Sequence, residues 1–372
     1  MKNINNIKVK SMRYMYRYIA TITLVAVIMS STTLLFAGNK DRSGQAGATE
    51  LLINPWARST GLSNSNTASV SGLEATFINV AGLSHTLGTH VAINYTNYLN
   101  GSKVNIYSLG VAQQLGQGSV LGLSVQTVNF GDENITTYAQ PDNTQGTFSA
   151  NDMVIGLSYS KAFSNSIFAG ATVKIINESI FDVSATGVAI DAGIQYITGE
   201  QENIKLGMTL KNVGTNMKFS GDGLTLRGDL SGQGSESTTP FSLNQRTEGF
   251  ELPTTLQIGV GYDFLFSHDC RLSILANFRS MAFGKDNVGV GLEGSLWNYF
   301  MLRAGYTIES GQWDHVYDQK EINNLGVEKG LSLGTTIQYP FKGKKSFISI
   351  DYSYRTTEHF SGTHCIGAIF NF

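Results

Sequence analysis

Apolar and polar residues alternate with a period of two along most of the chain. In the clearest segment, 253–266, apolar side chains occupy the even positions from Leu256 to Phe266, and Gln257 and Asp263 lie between them. This period places successive side chains on opposite faces of an extended strand. We count about fourteen such segments, near 86–97, 103–115, 119–130, 151–162, 166–176, 186–198, 203–212, 253–266, 270–280, 287–297, 299–309, 328–339, 345–355 and 361–372.

One of these segments does not keep a single phase. In 103–115, Val104 and Ile106 fall on the other face from Tyr107, Leu109 and Val111. An extra residue in one strand shifts the alternation in this way, so a β-bulge there is one explanation.

The lengths of the segments and of their connections favour a membrane barrel over a soluble sandwich. Each segment is close to the ~9–11 residues that a tilted strand needs to cross the hydrocarbon. Tight turns alternate with longer connections, as in outer-membrane barrels, and an even strand number would place both termini in the periplasm. The tight turns are 116–118, 164–165, 199–202, 267–269, 298 and 341–344, and the long connections are 131–150, 177–185, 213–252 and 310–326. Three further connections, near Asn100, Phe283 and Glu358, are exceptions of short or intermediate length.

The aromatic residues also distinguish the two ends of the predicted barrel. They cluster at the ends with tight turns, where an amphipathic ring is stable at the level of the lipid headgroups. The chain ends on Phe370 and Phe372 in an alternating segment, which resembles the insertion signal of outer-membrane barrels. The predicted girdle consists of Phe163, Phe168, Phe264, Phe266, Trp297, Tyr299, Phe300, Tyr339, Phe341 and Phe347.

The first 37 residues have the composition of a secretory signal. Basic residues from Lys2 to Arg17 precede an apolar run, Ile19 to Phe36, and Ala37-Gly38 is a small-residue cleavage point. The alternative is an uncleaved inner-membrane anchor, which the Ser and Thr residues in the run disfavour. We therefore divide the chain into a signal peptide (1–37), an N-terminal extension (38–85) and a barrel (86–372).

The composition is compatible with this fold, and the net charge does not indicate a nucleic-acid partner. The mean hydropathy of −0.05 does not exclude a membrane protein, because a transmembrane strand contacts lipid with only every second residue. The 41 glycines and 5 prolines suit a long sheet. A net charge of −2 gives no reason to expect nucleic acid as a partner.

The polar face of each strand would point into the barrel. Charges of both signs there either pair with one another or only hydrate the interior, and hydration is the simpler interpretation. Cys270 falls on the lipid-facing side and Cys365 on the inward side of strands that should not be neighbours, which predicts two free thiols. The inward set comprises Asp191, Lys205, Lys211, Gln257, Asp263, Arg271, Arg279, Glu293, Arg303 and Asp351.

Three motifs suggest chemistry but lie in the wrong context. The GxGxxG match at 289–294 is inside an alternating strand rather than at a strand-to-helix turn, so it predicts no dinucleotide site. The SxxK match at 158–161 needs a helix to bring Lys161 to Ser158. The histidines, including His359 and His364 beside one predicted outer loop, lack partners for a metal. We expect no enzyme, no cofactor and no metal.

Several short motifs, each of low specificity, occur in an order that resembles that of a known family. Residues 71–83, SGLEATFINVAGL, resemble the NPAGL stretch of FadL-like barrels, with Asn79, Ala81, Gly82 and Leu83 matching and Val80 in place of proline. The segments 146–152, 173–174, 189–196, 205–214, 252–253 and 259–262 follow the order of the PorV/PorQ branch. The likeness covers most of residues 50–372.

This resemblance implies a fourteen-stranded antiparallel barrel with an N-terminal hatch inside its lumen. It also implies a role in the type IX secretion system of Bacteroidota, as an interaction or shuttle component that binds a secretion pore, surface-attachment proteins or exported cargo. The alternative, from the FadL branch, is a conduit for hydrophobic small molecules, which needs an apolar pocket and a break in a wall strand. A structural barrel outside secretion is a third possibility.

Overall fold

The computed structural model of the protein describes residues 38, 40–139, 141, 146–228, 241–267, 269–297, 299–309, 330–341, 346–357 and 360–372. The predicted signal peptide, residues 1–37, lies outside the described residues and stays a prediction.

Fourteen antiparallel strands close into a barrel, as predicted. Each strand pairs with its neighbour along the chain, except that β7 pairs with β10, and β1 pairs with β16 to close the sheet. The barrel strands are β1 (Thr89–Tyr98), β2 (Val104–Gly116), β3 (Ser119–Asn134), β4 (Thr147–Ala162), β5 (Ile167–Ile180), β6 (Val183–Thr198), β7 (Ile204–Gly214), β10 (Thr255–Ser267), β11 (Cys270–Met281), β12 (Asn287–Leu296), β13 (Phe300–Glu309), β14 (Gly330–Pro340), β15 (Phe347–Arg355) and β16 (Thr363–Asn371).

The alternation in the sequence becomes an outward and an inward face. In β10, Ile258 and Val260 point outward with 46% and 48% of their surface exposed, whereas Gln257 and Gly259 are buried inside. Exposed aliphatic side chains on one continuous sheet face are stable against acyl chains and costly in water. The outward face is therefore the lipid-contacting surface.

A β-bulge does not cause the phase change between Ile106 and Tyr107. The pairing of β2 with β1 and with β3 runs without interruption from Asn105 to Gln113, and its register shifts only at Gln114/Gly116, beside a turn. The phase change has another cause: Ile106 is an apolar residue on the inward face, buried to 1% exposure, while Tyr107 points outward.

The two ends of the barrel differ in their connections. At the turn end the strands are joined by 117–118, 163–166, 199–203, 268–269, 297–299 and 341–346. At the opposite end, the loop end, most connections are longer, but β5 and β6 meet in the two-residue turn Phe181–Asp182. The long loop expected at 177–185 is therefore wrong. Both strands continue past the apolar rows with polar outward residues, and Asn177 Nδ2 donates to Thr186 Oγ1 at 3.0 Å.

The connection between β7 and β10 contains a second, small sheet. Its strands β8 (Thr225–Gly228) and β9 (Phe241–Asn244) form a two-stranded hairpin. Leu226 and Leu243 lie opposite each other in this hairpin and are each 53% exposed.

Most of the predicted aromatic girdle points outward at the turn end, including Phe163, Phe266 and Trp297. Two members point inward instead. Phe168 packs against His85, with ring centroids 4.3 Å apart, and Phe347 packs against His90 at 5.8 Å. Their burial follows from the segment that fills the lumen, which offers these rings an apolar surface that the strand pattern does not show.

The chain before β1 folds inside the barrel. We call residues 46–86 the hatch. It contains one short helix, α1 (Ala57–Gly61), and 3-10 turns at Thr49–Leu52, Gly72–Thr76 and Val80–His85. Its apolar side chains form a core with inward residues of the wall: Trp56, Val70, Leu73, Ala75, Phe77, Ile78 and Leu83 with Ala92, Ala112, Val120 and Ile369. None of the helices among the described residues has the length and apolar character needed to cross a membrane.

Candidate functional site: the hatch within the lumen

The matched hatch motif forms a tight turn that is anchored to the wall. Asn79 Oδ1 accepts a hydrogen bond from the backbone N–H of Ala81, which caps the 3-10 turn that begins at Val80. Asn79 Nδ2 donates to the carbonyl of Thr67 at 2.9 Å and to that of Ile194 in β6 at 3.0 Å. Proline is not needed here, because the asparagine cap sets the start of the turn.

Glycines in the wall allow the hatch backbone to approach closely. A Cβ on Gly305 of β13 would lie 2.3 Å from the carbonyl carbon of Leu62, and one on Gly207 of β7 would lie 2.4 Å from the carbonyl oxygen of Thr67. No side chain fits at these distances, so glycine is required by hatch contact rather than by strand formation.

Arg58 at the start of α1 ties the hatch to β15. Its Nε lies 2.9 Å from Asp351 Oδ1, and its Nη2 donates to Ser349 Oγ at 2.6 Å. The carboxylate of Glu74, elsewhere in the hatch, accepts hydrogen bonds from the backbone N–H groups of Arg58 and Ser59. The three charges thus lie between the hatch and one wall strand.

The same network continues around the wall. Thr336 Oγ1 hydrogen-bonds both Asp351 and Arg303 Nη1. Arg303 Nε lies 2.7 Å from Glu293 Oε2, and Glu293 Oε1 lies 2.6 Å from Arg271 Nη2. With Arg58 and Glu74 included, the formal net charge of the network is zero. It contains three guanidinium groups and three carboxylates, namely Arg58, Arg271 and Arg303 with Glu74, Glu293 and Asp351.

A second cluster lies on the other side of the hatch, at a bulge in β7. Lys211 and Asn212 both point inward opposite Asp191, where the register of β6 and β7 shifts. Lys174 Nζ lies 2.5 Å from Asp191 Oδ2 and donates to Asn212 Oδ1 at 2.9 Å. Lys211 Nζ lies 3.7 Å from the ring centroid of Phe77 in the hatch, a cation–π contact.

The inward charges therefore pair, contrary to the simpler interpretation that they only hydrate the interior. A further pair joins Lys205 Nζ to Asp263 Oδ2 at 2.7 Å. Arg279 is buried in the wall at 4% exposure, and Gln257 Oε1 accepts a hydrogen bond from Thr67 of the hatch. Unpaired charges in this dry interior would be costly, and the hatch supplies some of their partners.

The hatch side of these contacts was not predicted from the sequence. Arg58, Glu74 and Glu50 lie in a segment without strand periodicity, so no parity rule assigned them to the lumen. Lys174 could have been found, because it lies between the outward residues Val173 and Ile175.

Both cysteines are free, as predicted. Cys365 is fully buried between the wall and the hatch, where its Sγ lies 3.4 Å from the carbonyl oxygen of Pro55 and 3.0 Å from Thr96 Oγ1. Cys270 lies at the turn end and is partly exposed. The thiol of Cys365 therefore reports on whether the hatch is in place.

The last residue of the chain closes the barrel. Phe372 N donates to the carbonyl of Thr89 at 2.9 Å, and Thr89 N donates to the carbonyl of Phe372 at 3.1 Å. Phe370 and Phe372 lie on the outward face at the turn end. Their role as an insertion signal stays a prediction.

A buried carboxyl holds the start of the hatch near the loop end. Burial raises the pKa of Glu50 to about 8, and the neighbouring Asp152 and Glu178 on the wall add to this rise. A raised pKa means that the folded protein keeps the proton that the unfolded chain has already lost.

We therefore expect the first part of the hatch to become less stable as the pH rises from about 4.5 to about 8, since the unfolded state binds fewer protons in this range. Hydrogen exchange of residues 46–54 at pH 5, 7 and 9 would measure the effect. Glu50→Gln should remove most of the pH dependence, and Glu251→Gln, an exposed carboxyl in the β7–β10 connection, should leave it unchanged. Equal slopes for Glu50→Gln and the parent protein would contradict the expectation.

The lumen offers little room for a ligand. The two best-formed cavities of the described residues have volumes of about 30 and 10 Å³. The larger one lies between Trp56 and Phe77 of the hatch and Lys174 of the wall. A small-molecule site usually encloses roughly 300–1,000 Å³. Within the described residues, no group of three or more His, Cys, Asp or Glu side chains is placed to hold a metal ion.

An antiparallel barrel with a lipid-facing exterior and a lumen filled by its own N-terminal segment defines a plugged membrane β-barrel. The sequence profile of the type IX secretion system membrane protein PorP/SprF family matches residues 142–370. The chain belongs to this family. The match is to PorP/SprF, whereas the sequence motifs pointed to the PorV/PorQ branch. No curated protein is similar enough in sequence to match the chain.

Solved barrels of FadL-like type share the fold. The Pseudomonas putida toluene transporter TodX is 13% identical over 86% of this chain and 97% of its own, with a TM-score of 0.53. The CymD monoaromatic hydrocarbon channel is also 13% identical, over 86% and 98%, with the same TM-score. At this identity the likeness extends to the fold alone.

Proposed function

We propose that this protein acts in the outer membrane as a protein-docking component of type IX secretion, with a lumen that the hatch keeps closed. Membership of the PorP/SprF family supports the link to secretion, and the filled lumen is the observation that carries the docking role. Because ion pairs and backbone contacts keep the lumen closed, we infer that the protein binds its partners through its outer surface. In this proposal the loop end faces the cell exterior and both termini of the mature chain lie in the periplasm.

The docking surface that we propose is the connection between β7 and β10. This connection is the longest between described strands, and its hairpin presents the apolar pair Leu226 and Leu243 to solvent. Exposed apolar pairs of this kind are stabilised when a partner covers them. A secretion pore, a surface-attachment protein or exported cargo would bind there. The order of the sequence motifs supports a role of the PorV/PorQ type within this system.

Pull-down of the tagged protein from detergent-solubilised outer membrane tests this function. We expect a secretion-system protein or cargo to be recovered with the parent protein and to be reduced about tenfold by the double variant Leu226→Asp, Leu243→Asp. Tyr138→Asp, which changes a fully exposed residue of the β3–β4 loop, is the matched control and should not reduce recovery.

The competing function is a conduit for hydrophobic small molecules, as the names of the toluene transporter TodX and the monoaromatic hydrocarbon channel CymD describe for those proteins. Recovery of lipid or hydrocarbon without any protein partner would favour the conduit. The small cavities and the ion pairs between hatch and wall argue against it, because a permeating molecule would have to break them.

A further inference from the structure

Four asparagines form a row across four neighbouring strands on the outward face, near the loop end. Asn97 of β1 lies opposite Asn105 of β2, which lies opposite Asn129 of β3, which lies opposite Asn151 of β4. Asn129 Nδ2 donates to Asn151 Oδ1 at 2.7 Å. On the other side of Asn97, His364 of β16 continues the row. We call these five residues the asparagine row.

Tyrosines line the membrane side of this row. Tyr95 and Tyr107 lie opposite each other with ring centroids 5.5 Å apart, and the Tyr95 hydroxyl donates to Asn105 Oδ1 at 2.8 Å. Tyr352 of β15 hydrogen-bonds His364 Nδ1 at 2.8 Å. Tyr107 is 53% exposed, so its ring face is accessible from outside the barrel.

Below the tyrosines the outward face is apolar. Ile93, Leu109, Leu123 and Leu157 are each about half exposed on β1 to β4. Tyrosine marks the boundary between hydrocarbon and headgroup in membrane proteins. The asparagine row therefore lies at the level of the lipid headgroups, in direct continuation of the lipid-contacting surface.

The row occupies one side of the barrel only. On the opposite wall, the last outward residues of β10, β12 and β13 are Leu256, Val288 and Ile308, and only β11 ends on a polar one, Ser280. On β1 to β4 the outward surface at the membrane boundary is therefore polar, whereas on β10, β12 and β13 it is apolar.

We propose that the asparagine row and its tyrosines bind the sugar headgroup of a glycolipid in the membrane leaflet at the loop end. Sugar hydroxyls donate and accept hydrogen bonds, as carboxamides do. The C–H face of a pyranose packs on the electron-rich face of an aromatic ring. The four asparagines and three tyrosines carry no formal charge at neutral pH, which suits a neutral sugar better than a phosphate. A lipid-borne ligand reaches this depth by lateral diffusion.

Binding of a neutral glycolipid, monoglucosyl diacylglycerol, to the delipidated protein in detergent tests the proposal. We expect the triple variant Asn105→Leu, Asn129→Leu, Asn151→Leu to bind about tenfold or more weakly, because it loses several amide hydrogen bonds. Ser280→Leu on the opposite wall is the control and should bind as the parent does. Unchanged thermal unfolding of the triple variant would show that it folds.

Two results would overturn the proposal. Diacylglycerol, which lacks the sugar, could bind as tightly as monoglucosyl diacylglycerol, which would show that acyl chains alone hold the lipid. The triple variant could keep full affinity for the glycolipid but fail to recover a protein from solubilised membrane, which would make the row a protein interface.

Discussion

Replacement of Arg58 by methionine is expected to weaken the docking of the hatch by about 3–5 kcal/mol, since it leaves buried carboxylates without their cation. Asp351 loses its ion pair at 2.9 Å, and Glu74 loses its favourable electrostatic interaction with the Arg58 side chain. Maleimide labelling of Cys365 measures the result, because its thiol is covered by Pro55 of the hatch, three residues before Arg58. We expect little labelling in the parent protein and at least a hundredfold faster labelling in the variant. The variant Cys270→Ser serves as the background, so that only one thiol reacts.

The matched control for this prediction is Arg42→Met. Arg42 also pairs with a carboxylate, Glu251, at 2.6 Å, but both side chains are well exposed. An exposed pair contributes about 0–1 kcal/mol, so labelling of Cys365 should stay slow. Adding Asp351→Asn to Arg58→Met should restore part of the protection, because one unpaired charge is removed. If Arg58→Met leaves Cys365 as protected as in the parent, the ion pair does not hold the hatch.

A second large effect is expected for Gly305→Val. The new side chain would meet the backbone of Leu62 and Ser63 at less than 3 Å, and a backbone cannot rotate out of the way as a side chain can. Overpacking of this kind costs about 1–3 kcal/mol or more. We expect the barrel to form, because the pairing of β13 with β12 and β14 needs no glycine there, and the hatch to leave its position. Conductance in planar bilayers should then rise from background to a measurable ion current.

Gly294→Val is the control for this experiment. A Cβ on Gly294 meets nothing within 4 Å, so the same substitution on the neighbouring strand β12 should leave the bilayer silent. Current from both variants would mean that the wall, and not the hatch, sets the permeability. Labelling of Cys365 in Gly305→Val provides an independent measure of hatch displacement.

These two predictions address the same physical question, which is how the lumen stays closed. The hatch is held by ion pairs on one side, by the Lys174–Asp191–Asn212 cluster on the other, and by backbone contacts at wall glycines. Each contact is modest in water but strong in a dry interior. A permanently closed lumen supports a docking role at the surface.

The strands could be predicted from the sequence because the alternation of apolar and polar residues depends only on residues that are close along the chain. All fourteen predicted segments became barrel strands, with bounds that differ by a few residues at most places. The largest differences are at the loop ends of β3, β4 and β5, which each extend about four residues beyond the predicted bounds. At β5 and β6, polar residues such as Asn177 and Ser184 had been assigned to a loop. A strand that extends beyond the membrane keeps its hydrogen bonds but loses its apolar outward residues, so its end cannot be read from hydropathy.

By itself, the sequence determined the sheet, the faces of each strand and the inward position of residues such as Asp191, Lys211 and Arg303, because a period of two fixes which side each residue points to. The tertiary structure decided how those residues are used. Arg58 and Thr67 come from a segment with no periodicity, and they reach their wall partners Asp351 and Gln257 across 293 and 190 residues of chain. Partnership over such distances depends on closure of the barrel around the hatch, which no local pattern encodes.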